Sequence, residues 1–270
     1  MSLIYEPKGK AREYSALALN IYSGCDHGCF YCYVPQVMKF VNGYKHEDVK
    51  LKANYIEQLK KDAKKFSNTD KQVLFSFTTD PYSHFNDKHK LTRQALEILL
   101  ENKIPVSILS KGGKRILQDI DLFKKYGEHI KIGMTLTYVD EKQSLQSETG
   151  AAIPLERFLV LNHLKENGIK TWVSLEPVMD VRQTLQIIKL THSYVDHYKV
   201  GKLNHVNNTT DWHKFLVDSV TLLRELDKKF YVKKDLASYQ KDFYLSPDET
   251  DMDLLAVKGW KKNEFATLAL

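Results

Sequence analysis

The feature that most limits the folds open to this chain is a regular alternation of short apolar runs with amphipathic helical patterns. Such alternation is typical of repeated βα units around a parallel sheet. The predicted strands cover residues 17–22, 72–78, 106–110, 131–137, 170–175 and 197–201. The predicted helices cover residues 47–66, 90–101, 114–126, 155–167, 182–192 and 211–227. We therefore expect an α/β fold with a parallel sheet, of the size of one barrel.

Nothing in the sequence divides the chain into separate domains. The 270 residues contain no internal repeat, no low-complexity segment and no Pro/Gly/Ser-rich linker. The periodic patterns end near residue 236, and the remainder is less regular. We expect a barrel over residues 1–236 and a C-terminal extension, residues 237–270, packed on the same domain.

Charge and hydropathy bear on partners and location. The formal net charge is +6, from 40 basic and 34 acidic residues, which favours a polyanionic partner without requiring one. No run of residues approaches the roughly 18 apolar positions of a membrane span, and the first residues lack the apolar core of a signal peptide. We expect a cytoplasmic protein without a membrane partner.

All three cysteines of the chain lie within eight residues, directly after the first predicted strand. Cys25, Cys29 and Cys32 are too close in sequence to staple distant parts of the fold, so their role is local. Gly24 and Gly28 give the backbone freedom to turn each sulfur inward around one small cluster. Three cysteines on a four-iron cubane leave one iron open to an exogenous group.

Two other interpretations of this loop stay open. His27 can complete a structural zinc site with the three thiols, because zinc accepts mixed cysteine and histidine ligands. Four ligands within eight residues depart from the separated pairs of zinc fingers, however, and a barrel of this size folds without a metal. The three thiols can also stay without any ligand, with His27 a plain loop residue.

The motif Cys-x3-Cys-x2-Cys, with Tyr31 before the third cysteine, resembles that of the radical S-adenosylmethionine (SAM) superfamily. The resemblance implies a partial (β/α)6 TIM-like barrel and a 4Fe-4S cluster on Cys25, Cys29 and Cys32. It also implies that Tyr31 contacts the adenine of SAM. Such enzymes reductively cleave SAM to a 5'-deoxyadenosyl radical that takes hydrogen from a substrate. A reducing partner such as flavodoxin or ferredoxin is implied as well.

Later motifs resemble the spore photoproduct lyase-like branch of that superfamily, over about Tyr5 to Leu236. They include Tyr5-Glu6-Pro7-Lys8-Gly9, Thr78-Thr79-Asp80-Pro81-Tyr82, Ser110-Lys111, Glu148 with Arg157, Glu176-Pro177 and Val200-Gly201-Lys202-Leu203-Asn204. By this resemblance, the SAM-binding residues are Thr78, Thr79, Asp80, Ser110 and Lys111, with Thr135 and Arg157 as further candidates. Plain structural roles stay open for several of them, since threonines suit strands, Asp-Pro suits a turn, and Arg157 can simply pair with Glu148 or Glu156.

One departure concerns the hydrogen atom that spore photoproduct lyases return from a further cysteine. Phe77 stands at that position here, and the chain has no fourth cysteine, so strict photoproduct repair is not expected. Tyr33, after the cluster loop, is a candidate radical relay or a packing residue. We expect a DNA or RNA base as substrate, with a small molecule or partner protein as the alternative. A non-enzymatic metal-binding or nucleic-acid-binding module is the third interpretation.

Overall fold

The computed structural model describes residues 2–204 and 209–261, and within them eight strands form one sheet in sequence order. The strands are β1 (Ile4–Tyr5), β2 (Leu17–Leu19), β3 (Val73–Phe75), β4 (Val106–Ser110), β5 (Ile130–Thr135), β6 (Lys170–Leu175), β7 (His197–Val200) and β8 (Lys229–Val232). β1 is antiparallel to β2, and every later pair of neighbours is parallel. No pairing joins β8 to β1 in these residues, so the barrel is unclosed, as a partial TIM-like fold requires.

All six predicted strands are present, and the structure adds β1 and β8. Two predicted strands are shorter than their apolar runs. β2 ends at Leu19 and β3 ends at Phe75, because the residues that follow leave the ladder to line a cavity or to approach the cysteine loop. The fold class predicted from the alternation is confirmed.

Helices connect the strands along the outside of the sheet. They are α1 (Val34–Val37), α2 (Tyr55–Lys65), α3 (His84–His89), α4 (Leu91–Glu101), α5 (Ile120–Tyr126), α6 (Glu141–Ser147), α7 (Pro154–Glu166), α8 (Val181–Thr191), α9 (Trp212–Glu225), α10 (Lys234–Ala237) and α11 (Pro247–Thr250). Two differ from prediction. The helix expected over 47–66 begins only at Tyr55, and the one expected over 114–126 starts as a 3-10 helix, Gly113–Asp119.

Local chemistry explains where several helices begin. The Asp180 carboxylate accepts hydrogen bonds from the backbone of Arg182 and Gln183 at the start of α8. Asp211 does the same for Lys214 at the start of α9. Such caps satisfy amide groups that have no partner inside the helix.

The barrel interior is filled with large side chains rather than left open. Trp172 of β6 lies over Gly133 of β5, where an added Cβ would stand 2.3 Å from the indole. The Trp172 indole also donates a hydrogen bond to the Ile108 carbonyl at 3.0 Å. The buried side chains also include Lys131 near the amino end of β5 and Lys199 in the second half of β7.

The described part of the C-terminal segment lies across the amino ends of the strands. Lys131 donates to the Leu255 carbonyl at 2.5 Å, and the ring of Trp260 stacks on His129 at 3.8 Å. These contacts support our proposal that residues 237–270 extend the same domain, although 262–270 lie outside the described residues. None of the helices in the described ranges is long and apolar enough to span a membrane.

Candidate active site

A cavity of about 300 Å³ opens at the carboxyl ends of the parallel strands. The loops that follow β2 to β8 build its wall, as in other parallel barrels. Eleven of the twelve predicted site residues line it: Cys25, Cys29, Tyr31, Cys32, Tyr33, Thr78, Thr79, Asp80, Ser110, Lys111 and Thr135. Arg157 is the exception, and its side chain lies behind the wall.

The first half of the cysteine loop is held by the segment that precedes α2. Ser23 forms an antiparallel bridge with Lys50, and the Cys25 amide donates to the His46 carbonyl at 2.7 Å. Gly24 between them has φ +84°, and a Cβ there would stand 2.7 Å from the Asp48 carbonyl oxygen. Only glycine fits this approach without strain. The tertiary bridge also explains why residues 47–54 do not join α2.

The second half of the loop is held by residues that follow α6. Cys29 forms an antiparallel bridge with Glu148, and the Phe30 amide donates to the Ser147 carbonyl at 3.0 Å. The Gly150 amide donates to the His27 carbonyl at 2.9 Å. The cysteine loop is therefore clamped between two segments that lie far apart in sequence.

The three thiols are free and partly buried on one side of the cavity. Burial raises the pKa of each thiol, that of Cys25 to about 12. Burial therefore favours the protonated form of each thiol, and a metal that binds them must displace their protons. The Cys32 sulfur lies 3.4 Å from Nε2 of His46, a neighbour that the sequence did not indicate.

Asp80 connects three loops of the site. Its Oδ1 accepts hydrogen bonds from the Tyr82 amide at 2.8 Å and the Ser110 hydroxyl at 2.7 Å. Its Oδ2 accepts from the Lys111 amide at 2.7 Å and lies 3.4 Å from Nδ1 of His27. Both carboxylate oxygens are therefore occupied by protein groups, and Asp80 acts as an organiser of the wall.

His27 turns towards Asp80, while its Nε2 is buried without a hydrogen-bond partner in the described residues. Burial lowers the pKa of His27, so the ring is neutral at neutral pH. The Thr79 side chain is in the same situation, because its Oγ1 is buried and has no hydrogen-bond partner in the described residues. Buried polar atoms of this kind usually have a partner, so both are candidates to contact a bound molecule.

Lys111 points its ammonium group into the site, with Nζ 5.5 Å from the centre of the Tyr31 ring. No hydrogen bond from this ammonium to another described residue is present. Burial lowers the pKa of Lys111, but the Cys29 sulfur, when it is a thiolate, and the Glu148 carboxylate outweigh burial and hold the pKa above its usual value. The site therefore offers a permanently charged, unpaired cation beside the thiols.

A buried ion pair between Glu148 and Arg157 supports this region from behind. Arg157 donates to Glu148 at 2.5 Å, to the Thr135 carbonyl at 2.9 Å and to the Ala152 carbonyl at 2.7 Å. The Tyr31 hydroxyl donates to the other Glu148 oxygen. All three nitrogens of the Arg157 guanidinium thus have protein partners, and Glu148 links Arg157 to the Tyr31 hydroxyl; the SAM contact expected from the resemblance stays a prediction.

The opposite wall contains a second polar cluster that sequence reasoning did not identify as a site. Glu176, after β6, accepts hydrogen bonds from the Tyr14 hydroxyl at 2.7 Å and from Asn204 at 3.0 Å. Lys233, after β8, pairs with the same carboxylate and lies 4.6 Å from the Tyr14 ring. Recognition of 230–232 as a strand would have placed Lys233 at the site. No sequence pattern would have placed Lys10 and Tyr14 at the site.

Comparison with known protein families identifies the family of this chain. The family model of the "Radical SAM superfamily" matches residues 19–191, which include the cysteine loop and the walls up to β6. The chain belongs to the Radical SAM superfamily. As a radical SAM enzyme, it uses a 4Fe-4S cluster and SAM as cofactors and needs a reductant.

Two protein relatives align with most of the radical SAM chain. An uncharacterized protein of Methanocaldococcus jannaschii is 29% identical over 188 residues, 69% of this chain and 70% of that protein. An uncharacterized protein of Acidianus two-tailed virus is 27% identical over 231 residues, 78% of this chain and 75% of that protein. Neither name specifies a substrate.

Solved structures of radical SAM enzymes share the fold. Spore photoproduct lyase complexed with dinucleoside spore photoproduct has a TM-score of 0.67 at 10% identity, covering 85% of this chain and 78% of that one. Streptococcus suis SuiB bound to S-adenosylmethionine has a TM-score of 0.63 at 12% identity, covering 86% of this chain. This chain spans 51% of the length of SuiB. At these identities the similarity concerns the fold.

The residues of the radical SAM chain suit its cofactors. Three thiols face one cavity, while within residues 2–204 and 209–261 no three Cys, His, Asp or Glu side chains converge as ligands of a single metal ion. A cubane presents a separate iron to each cysteine, so its ligands surround a cluster rather than one ion. The unpaired Lys111 ammonium beside them suits an anionic group such as the carboxylate of SAM.

Proposed function

We propose that Cys25, Cys29 and Cys32 hold the 4Fe-4S cluster and that SAM binds between them and the β3 to β5 wall. When bound, this pair of cofactors supplies a 5'-deoxyadenosyl radical that abstracts hydrogen from a substrate. The observation that carries the proposal is the position of all three thiols and the free Lys111 ammonium on one cavity at the carboxyl ends of the strands. The remaining residues bind, orient and shield the reacting groups.

Lys111 binds the SAM carboxylate in this proposal, since its ammonium shares the cavity with the thiols and donates no hydrogen bond to another described residue. The Tyr31 ring, held by Glu148, lies against the adenine, and the free Thr79 hydroxyl offers a donor to a polar group of SAM. Thr78 and Thr135 contribute further polar lining. Three other predicted residues, Asp80, Ser110 and Arg157, act through the hydrogen bonds by which they position these groups.

We infer that the substrate is a nucleic-acid base, which is repaired or modified. A single base extruded from a strand is a small, flat group of the kind that enzymes take into an active-site pocket. Lys202 lines the wall opposite the thiols, where it can attract a phosphate, whereas Lys10 and Lys233 beside it are paired with Asp235 and Glu176. One structure with this fold was solved with a dinucleoside photoproduct, which supports the same substrate class.

Apart from the three cysteines of the loop, the chain has no thiol that could return a hydrogen atom to a repaired base. Phe77, at the position of the lyase cysteine, packs edge-on against Tyr14 with ring centres 6.0 Å apart. The Tyr33 hydroxyl donates to the Phe77 carbonyl at 3.0 Å and lines the cavity. In our proposal Tyr33 faces the substrate, as a relay or as a packing surface, and the reaction differs from strict photoproduct repair.

Anaerobic reconstitution with iron and sulfide, followed by reduction with dithionite in the presence of SAM, tests this proposal. We expect near-stoichiometric iron and slow release of 5'-deoxyadenosine, accelerated by single-stranded DNA or RNA. Cys29→Ala should lose the iron and the 5'-deoxyadenosine while its far-UV circular dichroism stays unchanged. Stoichiometric zinc without SAM cleavage would make the cysteines structural. Stimulation by extracts freed of nucleic acid, but not by oligonucleotides, would favour a small molecule or a partner protein.

A further inference from the structure

A second cavity, of about 620 Å³, opens at the amino ends of the strands and shares no lining residue with the active-site cavity. Its volume lies within the range of small-molecule sites. Four basic residues on its wall stand at the first or second position of four consecutive strands. They are Lys131 of β5, Lys170 of β6, His197 of β7 and Lys229 of β8, and we call them the basic layer.

The sheet register brings the basic layer together. Lys131 is the register partner of Lys170, and His197 is the register partner of Lys229. Nζ of Lys131 lies 3.4 Å from Nε2 of His197, which joins the two pairs. The four side chains are therefore neighbours on one wall, and they stand on strands rather than on loops.

The lysines of the basic layer lack a counter-charge. Lys131 is 2% exposed and donates to the Leu255 carbonyl, while Lys170 donates to a carbonyl at 3.3 Å. Among residues 2–204 and 209–261, no carboxylate forms an ion pair with these two lysines or with Lys229. A lysine as buried as Lys131 normally has a charged partner. The layer therefore contains positive charge that the described protein groups leave unbalanced.

The other charged or titratable groups on this cavity do not supply the balance. They are Glu128, His129, Asp196, Asp227, Lys258 and Lys261. The Asp196 carboxylate is already paired with Lys165, and its Oδ2 accepts a hydrogen bond from the Thr171 amide at 2.8 Å. The two remaining acids are matched in number by two lysines, so the cavity as a whole is cationic.

We propose that this cavity binds a phosphate group, carried by a small molecule or present as the free ion. Lysine ammonium groups supply both charge and hydrogen bonds to phosphate oxygens. Residues 254–259 of the C-terminal segment form one wall, so the cavity suits a compact anion better than a nucleic-acid strand. The thiols lie at the opposite ends of the strands, so this site is distinct from the one proposed for SAM and substrate.

The protonation of the basic layer should change when phosphate binds. Burial lowers the pKa of Lys131, and the charges of Lys199 and Lys170 lower it further. Burial also lowers the pKa of His197, with the neighbouring lysines as the second cause. A bound phosphate opposes both effects, because it stabilises the protonated forms. Binding should therefore take up protons at neutral pH.

Calorimetry on the 270-residue chain at constant ionic strength tests the site, with inorganic phosphate and glycerol 3-phosphate as probes. K170A/K229A changes the two exposed lysines of the layer and should raise the Kd of the probes by about tenfold or more. K142A/K189A is the control, because it removes two exposed lysines that line neither cavity, and it should keep the wild-type Kd. Tighter binding of glycerol 3-phosphate would identify an organic phosphate, and equal or tighter binding of inorganic phosphate would identify the free ion.

Lys131→Met tests the buried member of the layer with a side chain of similar length. Phosphate should raise the midpoint of thermal unfolding of wild type, because a ligand that binds only the folded chain stabilises it. The variant should lose most of this shift. Its proton uptake, measured by calorimetry in buffers of different ionisation enthalpy, should also fall. A lysine that serves only to hold Leu255 would change the midpoint without phosphate and leave the phosphate-dependent shift intact, which would contradict the phosphate site.

Three further results would overturn it. The first is wild-type protein that binds neither probe. The second is an equal loss of affinity in K170A/K229A and K142A/K189A, which would indicate general surface charge. The third is a single-stranded oligonucleotide that binds far more tightly than either probe and is weakened by K170A/K229A, which would assign the cavity to nucleic acid. None of these results involves the 4Fe-4S cluster or SAM, so they are independent of the proposed function, which 5'-deoxyadenosine formation tests.

Discussion

At the scale of single residues, Lys111 has the most direct consequence. Lys111→Ala should raise the Kd for SAM by roughly ten- to hundredfold, because a charge-assisted hydrogen bond contributes about 1.5–3 kcal/mol. Iron content should stay at the wild-type value, since Lys111 is not a cluster ligand. Anaerobic calorimetry with reconstituted protein measures the SAM affinity, and a chemical iron assay measures the iron content. Lys111→Arg keeps the charge and should retain most of the affinity; equal SAM affinity in wild type and alanine variant would remove Lys111 from the binding site.

Glu148 is the residue whose loss should cost the fold most. Glu148→Gln leaves the Arg157 guanidinium buried without its counter-charge, which should lower the free energy of unfolding by roughly 3–5 kcal/mol. Glu97 pairs with Arg93 at 3.2 Å on the surface, so Glu97→Gln should cost less than about 1 kcal/mol. Chemical denaturation of the two variants makes the comparison, and similar losses would contradict the buried-pair interpretation.

The same carboxylate predicts a pH dependence. Burial raises the pKa of Glu148, but Arg157 and Lys111 outweigh it, so the pKa in the folded protein lies below its usual value. The unfolded chain then binds the proton first as pH falls. The stabilisation is present above the ordinary glutamate pKa of about 4.3 and is lost as pH falls through the lower folded value. Below pH 5, the free energy of unfolding should therefore change less with pH for Glu148→Gln than for wild type, as measured by denaturation at a series of pH values.

The sequence indicated which residues form the site more readily than it indicated what each of them does. The cysteines are close together in sequence, so local spacing was enough to mark them as one group. The roles of Asp80 and Arg157 depend on burial and on partners up to 53 and 22 residues away, which a sequence pattern does not contain. Their hydrogen-bonding groups are used by the protein itself, so in our proposal they act by positioning their neighbours.

At the scale of elements, the cysteine loop depends on a close backbone approach at Gly24. Gly24→Ala combines a left-handed φ with a Cβ 2.7 Å from a backbone oxygen, whereas Gly43→Ala has φ +71° and open space within 4 Å. We expect Gly24→Ala to lose iron binding and Gly43→Ala to retain it, with a strain cost on the order of 1 kcal/mol in the latter. Iron per chain after reconstitution distinguishes them. Equal iron loading in both variants would show that the loop tolerates a shift there.

Elements with a strong period were predicted, and those created by tertiary contact were not. The apolar runs of β3 to β7 and the stripes of α4, α7 and α9 indicated strands and helices at the right places. β1 has two residues, too few to show alternation, and exists through pairing with β2. α2 does not begin near residue 47, as expected, because residues 46–50 pair with the cysteine loop instead.

At the scale of the whole molecule, the barrel interior contains lysine amines whose protonation is made unfavourable by burial. Burial, together with the charge of Lys233, lowers the pKa of Lys199 to about 7. Between that value and the usual lysine pKa, the unfolded chain binds the proton that the folded chain has released. The free energy of unfolding should therefore rise with pH, by about 2 kcal/mol from pH 7 to pH 9.

Lys199→Met should reduce this rise, because it removes the titrating amine while it keeps a long side chain. Urea denaturation at pH 7, 8 and 9 is the measurement. Lys229, the exposed first residue of β8, provides the control in Lys229→Met, which should leave the rise intact. A variant at Lys199 with the wild-type slope would show that other groups cause it.

The two clamps on the cysteine loop also set an order of events during synthesis. The thiols leave the ribosome first, whereas Glu148 and its neighbours, which close the second half of the loop, are added about 120 residues later. At bacterial or eukaryotic rates of about 5–20 residues per second, that interval is on the order of ten seconds. During it the nascent chain presents three cysteines without their scaffold. Maturation with iron and sulfide therefore belongs after translation, on a barrel that has already folded.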